Sequence, residues 1–201
     1  MAKHEIMIPF ICHFAAGVFG KGGGDLTLSY EEVFEKARIR GWSDDPDDRG
    51  GATMVDVTLS TYKTFRLRKG LPLPDKDDLR KITFEEWVDI LKTMFWNRCG
   101  GDKIVSQGIA NLITDWVWAS GFSVLKRVQR ILGVVPDGKV GLNTLAAINS
   151  FSSAYLFEII KREREKYYRG CPGAWKYLKG WLRRLHSIQP DGSFLINGVR
   201  I

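Results

Sequence analysis

The sequence contains few of the residues that build covalent or metal-centred sites. Among 201 residues there are 3 Cys and 3 His. The cysteines, Cys12, Cys99 and Cys171, are odd in number and widely separated, which argues against a disulfide framework and a Cys-x-x-Cys metal site. Cys12 and Cys99 stand among apolar residues, so we expect buried thiols. Because the histidines are scattered as well, we expect no metal and no cofactor.

Long apolar stretches are also missing. The one apolar run near the N-terminus, residues 6–19, is interrupted by Pro9 and His13. It is shorter than the ~20 residues that a membrane span needs. No basic cluster and cleavage site frame it, as they would frame a signal peptide. We therefore predict a core helix here, no signal peptide and no membrane partner.

Alternating apolar and polar residues, the pattern of a half-buried strand, are scarce, and helical spacing dominates. The predicted fold class is mainly α. Ser29-x-x-Glu32 and Thr83-x-x-Glu86 are capping boxes that open helices to about Arg40 and Asn97. Further helices are predicted over residues 58–69, 103–118 and 124–132, and another starts at residues 141–145 with Asn143 or Thr144 near its first turn. With 44% hydrophobic residues, the chain can bury roughly 70% of its unfolded surface.

Charge is divided unevenly along the chain. Residues 122–201 carry 14 Lys and Arg against 5 Asp and Glu, a net of +9, whereas residues 1–121 have a net of −2. Such a basic segment suits a polyanionic partner: nucleic acid, an anionic membrane or the acidic bacterial cell wall. The alternative is a solvated helical surface without a partner.

An acidic turn is the strongest candidate for chemistry. Asp44, Asp45, Asp47 and Asp48 surround Pro46 and are followed by a glycine pair and Thr53. Hydrolysis of a glycosidic bond requires two carboxyl groups at one cleft, and in inverting enzymes one of them activates water. The turn could supply that carboxylate, and the Thr53 hydroxyl could help to hold the water. An ordinary polar loop or a calcium-binding loop would also fit these residues.

A set of ordered motifs covers nearly the whole chain. They are Asp45-Pro46-Asp47-Asp48-Arg49-Gly50-Gly51-Ala52-Thr53, Phe95-Trp96-Asn97-Arg98, Ala110-Asn111-Leu112, Asp115-Trp116-Val117-Trp118-Ala119-Ser120-Gly121 and Val128-Gln129-Arg130-Ile131-Leu132-Gly133-Val134. Together they resemble the N-acetylmuramidases of glycoside hydrolase family 108, secretion-activator-like lysozymes with a C-terminal peptidoglycan-binding domain. The resemblance implies a lysozyme-like muramidase lobe over residues 1–121, with an insertion at about 16–40, and a helical peptidoglycan-binding subdomain over residues 122–201.

The acid that this resemblance implies is missing. Aligning the N-terminal helix with the family pattern puts the catalytic Glu at Ala15, and counting back from Gly41-Trp42 puts it at Ile39. By analogy with phage-type lysozymes, Asp48 would position water and Thr53 would assist, with Asp45 as the alternative carboxylate.

Other residues implied by the resemblance concern substrate binding. Where the family usually has Gly, this chain has Asp56, which either narrows the cleft or replaces the lost carboxylate; Glu35 is another substitute acid. Aromatic rings can pack against sugar faces. The substrate-binding candidates are Trp42, Asp56, Trp118, Asn111 and Asp115. Trp116 is favoured as a core residue, and for Asp115 a buried hydrogen-bonded strut is favoured over a cleft residue.

The resemblance leaves two functions open. The first is a peptidoglycan hydrolase that cleaves the β-1,4 bond between N-acetylmuramic acid and N-acetylglucosamine, inactive as it stands because the acid is replaced. The second is a non-catalytic peptidoglycan-binding or interaction protein on a muramidase fold. The expected partner is peptidoglycan, not nucleic acid, and the expected state is a monomer. We expect synthesis in the bacterial cytoplasm and action at the wall or periplasm after export or lysis.

Overall fold

The computed structural model describes residues 1–20, 25–47 and 50–201. These residues are mainly helical, which confirms the predicted fold class. They form two compact units. The N-terminal unit comprises Glu5–Met94 with Asn197–Val199, and the C-terminal unit comprises Met1–His4, Phe95–Ile196 and Arg200–Ile201. The domain boundary expected after residue 121 stays a prediction.

The N-terminal unit combines five helices and a small sheet among its described residues. The helices are α1 (Met7–Ala16), α2 (Tyr30–Arg40), α3 (Leu59–Arg68), α4 (Lys76–Arg80) and α5 (Phe84–Asp89). The strands are β1 (Trp42–Ser43), β2 (Thr53–Met54) and β3 (Val57–Thr58), which pair antiparallel in that order. A π-helical segment, Ile90–Trp96, follows α5.

Helix α1 is the core helix that the apolar run predicts. Met7, Ile8, Phe10, Ile11 and Cys12 are buried in it, and it packs against α2. After its C-terminal end, the chain is held against the helix by His13, whose Nδ1 accepts a hydrogen bond from the backbone N–H of Phe19 over 3.2 Å. Burial of this face explains why the run is apolar without spanning a membrane.

The two capping boxes differ in outcome. Ser29 and Glu32 form a complete box, and the N–H and hydroxyl of Ser29 hold the pKa of Glu32 below its usual value. Thr83 accepts from the N–H of Glu86, but the Glu86 carboxylate does not return to Thr83; it bonds the Tyr62 hydroxyl at 2.7 Å and Arg66 at 3.0 Å. The second half of that prediction is wrong because a partner on α3 binds the carboxylate.

The C-terminal unit contains α6 (Gln107–Ser120), α7 (Leu125–Ile131), α8 (Leu142–Ser150), α9 (Ser153–Arg169) and α10 (Ala174–Ser187). Strands β4 (Leu195–Ile196) and β5 (Val199–Arg200) form a C-terminal hairpin. Single 3₁₀ turns span Gly101–Lys103 and Phe122–Val124. In the described part of the chain, no helix combines the length and apolarity needed to cross a bilayer.

Helix α6 is the central buried helix that its apolar spacing predicts. Every residue from Gly108 to Val117 is buried. The helix begins at Gln107 and not near Lys103, because Ser106 caps it by accepting from the N–H of Ile109. The position of the cap therefore corrects the predicted start.

The turn between α7 and α8 is held by one buried glutamine. Gln129 donates to Asp137 Oδ1 at 2.7 Å and accepts from the N–H of Gly138 at 2.7 Å. Helix α8 starts after Gly141 and receives no side-chain cap. Neither Asn143 nor Thr144 caps the helix, and the Thr144 hydroxyl lies 3.3 Å from Gln129 Nε2 instead.

Candidate functional site

The small sheet of the N-terminal unit displays Thr53 beside the acidic turn. Residue pairing in β1 and β2 sets Ser43 opposite Thr53. The Thr53 hydroxyl is half-buried and donates to the Ser43 carbonyl oxygen over a long 3.4 Å. Its oxygen can still accept a hydrogen bond from water. This geometry is compatible with the water-holding role expected of Thr53.

The acidic turn leaves β1 directly after Ser43. The N–H of Asp47 donates to Asp45 Oδ1 over 3.0 Å, so one oxygen of the Asp45 carboxylate shapes the turn. Asp44 forms an exposed ion pair with Lys76 on α4 at 2.7 Å. Asp48, the favoured water-positioning carboxylate, lies outside the described residues. Asp45 is therefore the expected catalytic carboxylate whose position the structure describes.

Trp42 on β1 carries a cation on one ring face. The guanidinium carbon of Arg80 lies 4.1 Å from the centre of the Trp42 ring, and Arg80 also pairs with Asp77 at 3.1 Å. The ring is half-buried. A sugar could stack on the covered face only after Arg80 moves. Arg80 was not identified from the sequence, because cation–π pairs between separate elements leave no local pattern.

The turn between β2 and β3 is strained. Val55 has φ 45° and Asp56 has φ 61°, the left-handed values that a two-residue hairpin of the I′ type requires. Positive φ is a genuine outlier for a β-branched residue such as Val. Val55 is fully buried, its N–H donates to the Gly41 carbonyl at 2.9 Å, and its carbonyl accepts from Trp87 Nε1 at 2.9 Å. These contacts hold the turn in place and fix the position of Asp56.

Asp56 lies near enough to α1 for its charge to act on Cys12. Burial, and secondarily the negative charge of Asp56, raise the pKa of the Cys12 thiol well above its usual value. Residues three apart on a helix lie on one face, so Ala15 shares the face of Cys12. Ala15 itself is half-buried in the last turn of α1. The strained turn thus brings a carboxylate near α1, the helix that ends with Ala15 and Ala16.

Ile39 occupies an unusual position for an apolar residue. It lies in the last turn of α2 with 81% of its surface exposed. Gly41 follows, where an added Cβ would come within 2.8 Å of the Ala37 carbonyl oxygen and 2.9 Å of Val55 Cγ2. The glycine allows close approach to the strained turn, and Ile39 projects into solvent just before it.

In the C-terminal unit, Asp115 is a buried strut. Its side chain is fully buried, with Oδ2 accepting from Arg164 at 2.6 Å and Oδ1 accepting from Arg184 at 2.8 Å. Burial alone would raise the pKa of this carboxyl, but the charges of Arg184 and Arg164 outweigh burial and hold the pKa below its usual value. Asp115 therefore joins α6 to α9 and α10, and the expectation that it contacts substrate is not supported.

Asn111 is also internal. Its side chain accepts from Gln107 at 2.7 Å and donates to the Gly192 carbonyl at 2.9 Å, and it has no exposed surface. These bonds secure α6 to the segment before β4. The structure assigns Asn111 a structural role in place of the expected substrate contact.

The tryptophans of α6 differ. Trp116 is fully buried, as the packing interpretation predicts, whereas Trp118 is half-exposed. Trp118 packs on Phe95 at 4.7 Å, and Phe95 stacks on Phe122 at 5.8 Å. The guanidinium of Arg98 lies 3.5 Å from the centre of the Phe122 ring. This aromatic cluster could contact sugar rings, and of its four members the sequence indicated Trp118 alone.

Within residues 1–20, 25–47 and 50–201, no three or more His, Cys, Asp and Glu side chains are grouped to hold a metal ion.

Comparisons with known proteins match both halves of the chain. Residues 37–121 match the family model Glycosyl hydrolase 108, and residues 123–186 match the model Predicted Peptidoglycan domain. The solved structure of Brucella abortus SagA is similar, with a TM-score of 0.66 and 27% identity over 78% of this chain and 91% of that chain. The chain thus combines a segment that matches glycosyl hydrolase 108 with a following segment that matches a peptidoglycan domain. A search of curated proteins found no significant match.

The two matched segments together support a peptidoglycan-directed function of muramidase type. Peptidoglycan is its substrate or partner, and the cell wall is its place of action. The family match begins at residue 37, so it includes Ile39 and leaves Ala15 outside. Neither position carries a carboxylate.

Proposed function

We propose that this protein binds peptidoglycan on a muramidase framework but cleaves it weakly or not at all. The observation that carries the proposal is the absence of a carboxylate at both positions that can correspond to the family Glu, Ala15 and Ile39. The substrate bond would be the β-1,4 bond between N-acetylmuramic acid and N-acetylglucosamine.

The missing group would act as general acid. Cleavage requires a proton on the leaving glycosidic oxygen, and an alanine methyl group or an isoleucine side chain cannot supply one. General acid catalysis contributes about 10²–10⁴-fold to such rates. A turn with Asp45 and Thr53 could still orient a water molecule. Without the acid, however, the glycosidic oxygen would depart as an unprotonated alkoxide, which is a poor leaving group.

Two observations support Ile39 as the position of the lost acid. The family match starts at residue 37, and Ile39 is exposed at the end of a helix directly before β1, where a carboxylate would have access to substrate. Ala15 has the alternative support that the charge of Asp56 acts on Cys12, which lies one turn earlier in the same helix. The two positions predict different rescue mutants.

The test is the loss of turbidity of bacterial cell walls with the native chain, Ile39→Glu and Ala15→Glu. We expect little lysis by the native chain and a gain of about 10²-fold or more in one of the two variants. Ile39→Gln and Ala15→Gln are matched controls because they add a similar side chain without the acid. Strong lysis by the native chain would overturn the proposal.

A second candidate function is slow hydrolysis with Asp56 as the substitute acid. Its support is the strained turn, which holds a carboxylate where the family pattern has glycine. Asp56→Asn keeps the size of the side chain and removes the acid. If the native chain has measurable lytic activity, this variant is expected to abolish it; unchanged activity in Asp56→Asn would exclude Asp56 and leave Glu35 to be tested in the same way.

A further inference from the structure

The outer face of α10 combines an exposed tryptophan with basic residues. Trp175 has 80% of its surface exposed, and Lys179 and Arg183 are exposed on the same helix. The other aromatic rings of this helix are half-buried and pack together: Trp181 lies 5.4 Å from Tyr168 and 5.8 Å from Tyr177. Trp175 is therefore the most exposed aromatic residue of α10.

Helical spacing aligns these residues into one stripe. Trp175, Lys179 and Arg183 are four residues apart in succession, so they lie on one face over a length of about 12 Å. Helix α10 contains no Asp or Glu. The stripe thus presents one aromatic ring and then two positively charged side chains, at positions along the helix that are fixed by its geometry.

This combination matches the chemistry of a glycan that carries peptide carboxylates. The apolar face of a sugar ring packs on an indole, which has both a large apolar surface and a polar edge. Lysine and arginine attract carboxylates by charge and by hydrogen bonds. A single-stranded nucleic acid could also stack a base on the indole. The match of residues 123–186 to a peptidoglycan domain favours the wall polymer as the occupant of this face.

We propose that Trp175, Lys179 and Arg183 form the surface through which the peptidoglycan domain binds the wall polymer. A sugar ring stacks on Trp175, and Lys179 binds a carboxylate of the peptide stem, with Arg183 adding positive charge to the same helix face. This inference rests on the proposed binding function and assigns it to one helix face. The domain match over residues 123–186 includes the whole stripe.

The experiment measures retention of the full chain on purified peptidoglycan. We expect Trp175→Ala to weaken binding at least tenfold and Lys179→Glu to weaken it severalfold and to reduce its salt dependence. The matched controls are Tyr155→Ala, which removes an aromatic side chain that is 60% exposed on α9, and Lys126→Glu, which makes the same charge change on α7. Both controls are expected to bind within twofold of the native chain.

A second probe separates the two contacts. An N-acetylglucosamine oligomer has sugar rings but no carboxylates, so its binding is expected to fall in Trp175→Ala and to remain unchanged in Lys179→Glu. Circular dichroism melting checks that the surface variants fold like the native chain.

The outcomes distinguish the two proposals. If the native chain binds the wall and Trp175→Ala binds equally well, the α10 surface is wrong and the binding function stands. If the native chain shows no retention, the binding function itself fails and the surface with it. Equal affinity for single-stranded or duplex DNA, or for anionic phospholipid vesicles, would show general anion binding and would overturn wall recognition.

Discussion

The indole Nε1 of Trp87 donates a hydrogen bond to the carbonyl oxygen of Val55 over 2.9 Å. The bond links α5 to the strained β2–β3 turn, and both side chains are fully buried. A residue in a sparsely populated backbone conformation persists only where its surroundings fix it. Trp87 is one of the groups that fix Val55 and, through it, Asp56.

Trp87→Phe is expected to lower the free energy of unfolding by about 1–3 kcal/mol, because a buried carbonyl oxygen loses its donor. Urea unfolding followed by circular dichroism measures the change. Trp175→Phe is the matched control: at an exposed position the same substitution should change stability by less than about 0.5 kcal/mol. An equal effect at both positions would mean that the Val55 bond contributes nothing.

Asp115→Asn is expected to lower the free energy of unfolding by about 3–5 kcal/mol, because two buried or nearly buried guanidinium groups lose their counter-charge. Glu163→Gln is the control, since it removes the partner of Arg127 in a partly exposed pair and should cost at most about 1 kcal/mol. A small effect of Asp115→Asn would show that water or another anion compensates the two arginines.

The low pKa of Asp115 predicts a pH dependence of stability. The folded-state pKa is lower than the unfolded value of about 3.9. The stabilisation is therefore fully present above that value and is lost as the pH falls through the folded-state pKa. Chemical unfolding from pH 6 to pH 2 should show a shallower acid loss in Asp115→Asn than in the native chain. Arg184→Lys, which keeps the charge, provides a second comparison if the asparagine variant does not fold.

Two glycines of the C-terminal unit are expected to respond oppositely to alanine. A Cβ at Gly101 would lie 2.2 Å from the Trp96 ring, so Gly101→Ala should destabilise by about 1–3 kcal/mol. At Gly180, inside α10, an added Cβ meets nothing within 4 Å. Gly180→Ala should stabilise by about 0.5–1 kcal/mol through helix propensity. Thermal melting of the two variants tests both signs, and destabilisation of Gly180→Ala would contradict the exposed position of that residue.

Arg80→Ala should uncover the face of Trp42 that the guanidinium occupies. If Trp42 contacts sugar through that face, the affinity for an N-acetylglucosamine oligomer should rise in Arg80→Ala and fall in Trp42→Ala. Calorimetric titration measures both. Lys81→Ala, which removes the neighbouring exposed cation, is the control. Unchanged affinity in Trp42→Ala would remove Trp42 from the substrate-binding candidates.

Local sequence patterns determined the helices and the resemblance to glycosyl hydrolase 108. The Ser29 capping box, the apolar spacing of α6 and the ordered motifs depend on residues close together in the chain, and the structure and the family matches agree with them. The absence of a carboxylate at Ala15 and Ile39 was also visible from the residues alone. The roles of Asp48 and Thr53 stay predictions.

Tertiary structure decided which polar and aromatic side chains are available for binding. Asp115 meets arginines that are 49 and 69 residues away, Glu86 bonds a tyrosine 24 residues away, and Arg80 covers Trp42. The sequence determines helix periodicity because the helical hydrogen bond joins residues four apart. It leaves the partner of a buried charge open, because such a partner is selected by the packing of distant helices. The burial of Trp116 was expected from the apolar spacing of α6, whereas the exposure of Trp175 became visible only in the folded chain.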